Sequence, residues 1–481
     1  MEVESNNTVF KAGLAITDQD DVKFSMGFRP YVPSKNGGSM LLQASLAPGQ
    51  PVGYVHPVWY SGWRDETLSW HETCSFSALL NPTPVTIIRG PEAKKFLKEN
   101  FVNNIDNFPI GIIKHGLLCL ENGMLATHGV LMHTAEDVYE AHWHAPYINY
   151  LFQLKKYDAE LTDISPQRYL YQLQGPRCLE ILEQITGDDL HDIKYRHFRA
   201  SSIDGHEVRI LRFGMAGTLG YEIHGDSAYA KEVFKKILAT GRPYGLRPIG
   251  MFTYGMNHIE GGFPQIGVNI ISAMCEDEGF IQYLAKDPYS NPMCYMTSSE
   301  NIECLGSAGP DPHNFMYNPF EIGLGGCINW NHEFRGKKAL RKLKESEDKD
   351  VATLRWNPED LCRLYAMQFD PDAEYVRQLD LPCDLPLFGY AGLTTDWVYD
   401  SEGKKIGRSY GRVQSNYYHA VLSFGAIARR CRGISTEVYI LRGEPGTHQI
   451  KIRATVERFP YNTHLVNDGY DVETIPHYKA K

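Results

Sequence analysis

Between Phe213 and Gly225 the chain reads FGMAGTLGYEIHG, a denser concentration of chemistry than any other stretch offers. Gly214, Gly217 and Gly220 keep side chains out of a short loop, which runs straight into Tyr221, Glu222 and Ile223. A single carboxylate thus stands at the end of a backbone-lined slot. It can accept two parallel hydrogen bonds from a flat heterocycle with adjacent N–H donors, and the pterin ring of a folate has such an edge. Glu222 is the first candidate ligand-binding residue, with Tyr221 beside it. Glycines also gather wherever positive φ is required, so the loop by itself is equally compatible with a plain turn.

Two further clusters carry reactive side chains. In AHWHAPYINYL, His142 and His144 flank Trp143, and a strand would place both imidazoles on one face. Metal binding needs three or four ligands, and no Asp/His cluster at metal spacing stands nearby, so this stretch reads as a pocket wall and no metal is expected. In GYVHP, Tyr54 and His56 alternate with Val55 and would likewise share a strand face. GLGGC (323–327) lacks the third spaced glycine of a dinucleotide fingerprint, and there is neither a GxSxG elbow nor an Asp-x-His-x-x-Gly corrinoid motif.

Alternating strands and helices must position these groups. VTIIRG leads into a helix with Ala93, Phe96, Leu97 and Phe101 on one face and Pro91 at its start. YLYQLQGP is a strand, followed by a helix that turns Cys178, Ile181, Leu182 and Ile185 inward and stops at Gly187. EVRILRFG is a strand, and DSAYAKEVFKKILATG a helix capped by Asp226 or Ser227 with Gly241 after its end. The charged run 335–350 reads as a solvated helix leading to a separate unit. Beyond residue 351 helical periodicity fades and strands dominate: DSEGKK is a hairpin turn, and TEVYILRG and HQIKIRATVERF alternate apolar with polar. The fold class is α+β with a C-terminal β-barrel. The expected divisions are an irregular arm over 1–52, a catalytic region of two intertwined subdomains over 53–340, and the barrel over 351–470.

At 481 residues, with 43% hydrophobic and 12% aromatic content, the chain is long enough for two or three packed domains. A formal charge of −10 and the absence of a long basic stripe argue against nucleic acid. No apolar run approaches the roughly eighteen residues of a membrane span. MEVESNNTVF lacks the build of a signal peptide, and ten cysteines without a CxxC pair suit a reducing compartment, so a cytoplasmic location is expected.

Taken in order, RGPEAKKFL (89–97), YQLQGP (171–176), FGMAGTLGYEI (213–223), IEGGFP (259–264), NPFEIGLGG (318–326) with FRGKKAL (334–340), and IGRSYGRVQSNYYHAVLSFGAI (406–427) resemble the folate-dependent aminomethyltransferase (glycine-cleavage T-protein) superfamily. GYVHPVWYSGWRDE, RFGMAGTLGYEIHG and RATVERFPYNTHL are most similar to its tetrahydrofolate-dependent aryl O-demethylases. The resemblance implies a multi-domain cloverleaf fold, tetrahydrofolate as methyl acceptor and a small-molecule methyl donor; the oligomeric state stays open. It implies folate contacts at Glu222, Gln174, Phe263 and Tyr221, a catalytic role for Tyr254 supported by Tyr54 and His56, and substrate contacts at His144, His142 and Trp143. A tyrosine, with a pKa of about 10, matches the phenol that O-demethylation releases. Glu260 falls in the same helix as Tyr254 and is as compatible with a structural role.

Two departures matter. SFSALLNPTPVTIIR (75–89) contains none of the acid that glycine cleavage uses, and Pro82 or Asn81 stands where the family has a histidine. His144 occupies the place of a demethylase arginine that holds a substrate carboxylate, which points to a neutral methoxyphenol or an acid held otherwise. The expected activity is methyl transfer from a methoxy-aromatic to N5 of tetrahydrofolate. The alternatives are demethylation of a sulfonium or betaine, and folate binding without catalysis.

Overall fold

The computed structural model describes residues 59–478 apart from 82, 287–302, 347–348, 380, 385–391 and 464–465, with the backbone of four strands before residue 58. Those four strands form two hairpins, Lys23–Phe24 with Gly27–Phe28 and Ser39–Ala47 with Gln50–Pro57. The segment expected to be irregular up to residue 52 therefore contains a long hairpin whose second strand crosses that boundary.

Two sheets face each other across the middle of the molecule. One has five antiparallel strands in the order Glu160–Asp163, Val85–Arg89, Val138–His142, Leu125–Ala135, Ile113–Cys119. Phe96 and Leu97 of helix Ala93–Asn100 pack with Phe101 against its outer face, beside Ile88, Leu131 and Tyr139. The other has six strands in the order Phe198–Ile203, His206–Leu211, Gly220–Asp226, Arg168–Gln174, Cys74–Ser77, Leu246–Pro248. Helices Cys178–Thr186 and Ala230–Gly241 cover its outer face with Cys178, Ile181, Leu182, Ile185, Val233 and Ile237. The first ends at Gly187, whose φ of 74° is the left-handed cap expected of a glycine.

The second helix departs from expectation at both ends. Asp226 caps a single 3-10 turn, accepting from the Ala228 N–H at 2.9 Å, and the α-helix begins at Ala230. Gly241 lies inside it; a 3-10 turn follows and the left-handed stop is Gly245. Composition signalled a glycine stop but did not distinguish two glycines one turn apart.

A six-stranded barrel follows. Lys349–Trp356, Leu393–Tyr399, Lys405–Ser415, Ala420–Ala428, Glu437–Arg442 and Ile450–Glu457 pair in a ring that the Val398–Ile440 register closes. Leu354, Val398, Ile427, Ile440, Ile452 and Val456 fill it. Strands do not account for the whole region: Pro358–Met367 is a helix, with Asn357 capping the Asp360 N–H at 3.1 Å and Pro358 at the first helical position. The charged helix Lys337–Glu345 is as expected, with Leu340 its one buried residue. After the barrel the chain returns to the six-stranded sheet, where Arg212 donates to the carbonyls of Asn467 and Tyr470 and where Val472 and Ile475 join the helix-side core. Among the described residues all cysteines are free, and no helix is long and apolar enough to cross a membrane.

Candidate active site

Strand alternation decides what reaches the space between the sheets. In Gly220–Asp226, Tyr221 and Ile223 point to the helices while Glu222 and His224 point the other way; in Arg168–Gln174, Tyr171 and Leu173 go to the helices and Gln172 and Gln174 do not. Glu222 thus lines a cavity, partly open to solvent, whose walls include His115, His128, His142, Trp143, Phe213, Met215, Phe263 and Gln265.

The Glu222 carboxylate is oriented from both sides. Gln172 Nε2 donates to Oε1 at 2.8 Å and His224 Nε2 donates to Oε2 at 2.9 Å. Burial opposes its ionisation, but the His224 and Gln172 hydrogen bonds outweigh burial and hold the group below the usual carboxylate range. Each oxygen keeps a second lone pair for a ligand. Burial pushes His224 down to about 4, so the imidazole is neutral; with its proton on Nε2, the buried Nδ1 has no partner. His142 repeats the pattern, Nε2 facing Glu140 at 3.4 Å and Nδ1 buried without a partner, and the two rings lie 5.1 Å apart. Glu222 and the His142 nitrogen at the wall, with the His224 nitrogen beside Glu222, form an acceptor-rich region complementary to the N–H-rich edge of a reduced pterin.

A second polar arm has a fixed direction. The Ile266 N–H can only donate, and it reaches His128 Nε2 at 3.3 Å. The His128 proton is then on Nδ1 and is given to His115 Nε2 at 2.9 Å, which leaves the His115 proton on Nδ1. His115 stacks on Phe263 with centroids 5.2 Å apart. Burial lowers His115 to about 4 and His128 further, so both are neutral donors.

The residues singled out from sequence separate into three groups. Glu222, His142, Trp143 and Phe263 come together at the cavity. Tyr254 and Gln174 stand immediately behind it. The Tyr254 hydroxyl is 3.4 Å from Gln265 Oε1 and 3.9 Å from Met215 Sδ, both cavity residues. Gln174 Oε1 accepts from the Ala216 N–H at 2.6 Å and Nε2 donates to Gln172 at 3.0 Å, so it braces the glycine loop and the residue that orients Glu222. A Cβ on Gly214 or Gly220 would lie 3.1 Å from the Gln174 side chain, which is why the loop excludes side chains there.

Tyr221 and His144 are away from the cavity. Tyr221 is fully buried in the helix-side core, on the opposite face from Glu222. His144 is fully enclosed, its Nδ1 bonded to Thr127 at 2.7 Å and its ring edge-on to Phe101, so it is not placed to meet a substrate carboxylate. The chain turns at Trp143, whose φ is 67°, and this breaks the alternation that would have put His144 beside His142. Asn81 braces the strand pair by bonding both the N–H and the carbonyl of Leu170. Glu260 holds Trp70 and His71 at 3.0 and 2.8 Å. Tyr54 and His56 fall in the Gln50–Pro57 strand, but their side chains, like all of Pro82, lie outside the described residues.

Four cavity groups were missed in the sequence. His224 carried a usable signal, two residues from Glu222 on the same strand face. His115, His128 and Gln265 did not, because strand register and a loop return bring them together.

Comparison with known proteins fits this arrangement. The GCVT N-terminal domain model matches residues 42–278. Sesamin methylene transferase of Sinomonas sp. is 36% identical over 451 residues, covering 92% of this chain and 96% of that protein. The chain belongs to the GCVT family. It is a tetrahydrofolate-dependent enzyme of the methyltransferase type. Syringate O-demethylase of Sphingobium sp. is 27% identical over 442 residues, covering 86% of this chain and 91% of that protein. The crystal structure of the glycine cleavage system aminomethyltransferase T from Bartonella henselae shares the fold, with a TM-score of 0.60 at 16% identity over 89% of this chain and 96% of that one. As a GCVT-family transferase the chain is not a bare folate-binding module.

Proposed function

We propose that this enzyme is an O-demethylase that takes the methyl group of an uncharged methoxy-aromatic, releasing a phenol and 5-methyl-tetrahydrofolate. One observation carries the reading: among the described residues that line the cavity, Glu222 is the single carboxylate and there is no arginine or lysine. A benzoate would lose its hydration with no cation to replace it, whereas a neutral ring meets Trp143, Phe213, Phe263 and Met215.

Tetrahydrofolate supplies the nucleophilic N5 that accepts the carbon. Glu222, His142 and His224 are the acceptors suited to hold its pterin. The remaining walls hold the substrate ring and exclude water, which favours alignment of acceptor, methyl and leaving oxygen. Negative charge grows on that oxygen as the carbon departs, and a hydrogen-bond donor there lowers the barrier. The His115 Nδ1–H at the cavity wall is one such donor, and the Tyr254 hydroxyl could act from behind the wall by exchanging its contact with Gln265. The proton that N5 loses on accepting the methyl group balances the one the departing phenolate oxygen gains, so the overall transfer is proton-neutral.

A second reading follows from the similarity to sesamin methylene transferase: the carbon could be a methylene held between two phenolic oxygens, delivered as 5,10-methylene-tetrahydrofolate. Anoxic incubation of the protein with tetrahydrofolate and a panel of guaiacol, vanillate, syringate, a methylenedioxybenzene, dimethylsulfoniopropionate and glycine betaine tests both. Mass spectrometry separates methyl from methylene product. Methyl product from guaiacol supports the first reading, and methylene product from the bridged ether the second. Product from the sulfonium or betaine alone rejects both.

A further inference from the structure

Far from the cavity, where the returning C-terminal segment meets the end of helix Cys178–Thr186, two imidazoles stack with centroids 3.8 Å apart. They belong to His191 and His477, and each has the same division of labour between its nitrogens. His191 Nε2 faces the Ile475 carbonyl at 3.1 Å, and His477 Nε2 faces Glu473 at 3.1 Å. Both Nδ1 atoms face the Asp189 carboxylate: His191 Nδ1 at 3.0 Å from Oδ1, and His477 Nδ1 at 2.7 Å from Oδ2. Glu183, 1% exposed, adds a further oxygen at 2.8 Å from His191 Nδ1.

This is an unusual demand on a histidine. All four ring nitrogens face oxygen acceptors, and the two Nδ1 atoms share one carboxylate. A histidine that ligates a metal donates its other N–H to a carboxylate or backbone carbonyl, and that partner is already present on each Nε2. We propose that Asp189, His191 and His477, closed by Glu183, form a binding site for a divalent transition-metal cation of the zinc type, with both histidines ligating through Nδ1.

The donor set, two imidazoles and two carboxylates, suits a tetrahedral closed site. Ligand atoms of Asp189, His191 and His477 lie within 4.8 Å of one another. Bonds of about 2.0–2.2 Å to the metal require these atoms to draw in by roughly an ångström. His477 and Asp189 are about half exposed and have room to rotate, while His191 and Glu183 are fixed by burial. A metal takes the place of the ligands' protons, so binding weakens as pH falls. Its consequence is local: the segment carrying Val472 and Ile475 becomes tied to the six-stranded sheet's helical layer.

Full-length protein stripped with a chelator and titrated with Zn²⁺ at pH 7.5 in a calorimeter is expected to take up about one equivalent and to melt at a higher temperature with the metal than without. Asp189→Asn and His477→Ala, both at exposed positions, should each weaken binding at least about tenfold and abolish the thermal shift, and Glu473→Gln should weaken it by about 10- to 100-fold. Co²⁺ in place of Zn²⁺ reports the ligands. Weak visible bands without thiolate charge transfer are expected. No uptake by the wild type, unchanged uptake in Asp189→Asn/His477→Ala, or a thiolate signature that assigns the metal to cysteines would each overturn the site.

Discussion

The two faces of strands Arg168–Gln174 and Gly220–Asp226 are built from alternate residues of the same segments and do opposite work. Toward the helices stand Tyr169, Tyr171, Leu173, Tyr221 and Ile223, all nearly or fully buried in an apolar core. Toward the cavity stand Gln172, Gln174, Glu222 and His224, just as buried but polar and linked by hydrogen bonds. One face drives the sheet together through removal of apolar surface from water. The other carries a desolvation cost, offset only while its network is complete, and holds acceptors for a ligand. Burial alone therefore does not distinguish core from site; what distinguishes them is whether the buried atoms are polar and left with unused lone pairs.

Acid should break the comparison most strongly, because the helix-side face of these two strands has no imidazole to protonate while the cavity-side face has His224. His224 is held near 4 by burial, as is His258, which packs against Tyr254 in helix Met251–Gly261, and His115, partly exposed, is lowered in the same direction. Their unfolded value is about 6.5. Below 6.5 the unfolded chain binds protons that the folded chain refuses, so this contribution is complete above pH 6.5 and is lost as pH falls toward 4. Each of the two fully buried groups contributes at most about 3 kcal/mol, so denaturant unfolding should lose several kcal/mol between pH 6.5 and 4. His224→Gln should flatten that slope. A stability that is constant across this window would contradict the neutral-histidine cavity.

Leu173→Ala tests the other face. It leaves the polar network in place and removes core contacts, so it should cost about 2–5 kcal/mol of unfolding free energy while folate affinity per folded molecule is kept. Glu222→Gln should do the reverse. Folate binding is expected to weaken by roughly 1.5–3 kcal/mol by calorimetry, with a loss of unfolding free energy smaller than that of Leu173→Ala. Smallest is Gln174→Ala, which frees the glycine loop and leaves the Ala216 N–H unpaired. About 1–3 kcal/mol is expected, divided between stability and folate affinity. Equal effects of Leu173→Ala and Glu222→Gln on both readouts would erase the distinction between the faces.

Much of this partition was legible in the sequence. YLYQLQGP was identified as a strand, helical spacing identified the layer that covers the sheet, and the Gly-rich approach to Glu222 marked the polar face, although Gly220–Asp226 was not recognised as a strand. Legibility failed where local pattern and backbone disagree. His144 shares a spacing with His142 but not a face, because Trp143 adopts positive φ between them. Tyr221 was grouped with Glu222 by adjacency, although adjacent strand residues point apart. His115 and His128 meet only because Leu117 pairs with His128 across the hairpin, a register that no single strand reveals. The Pro358–Met367 helix was hidden among strands, though Asn357 and Pro358 gave its start.

The most direct test of the account follows one carbon. Guaiacol labelled with ¹³C in its methoxy group and unlabelled vanillate would be offered together with tetrahydrofolate under anoxic conditions, and labelled and unlabelled 5-methyl-tetrahydrofolate counted as they form. A cavity without a cation for a carboxylate predicts that the labelled product dominates, and that Glu222→Gln lowers both products together. Dominance of the unlabelled product would contradict it, since the carboxylate of vanillate would then have found a partner that the cavity walls do not provide.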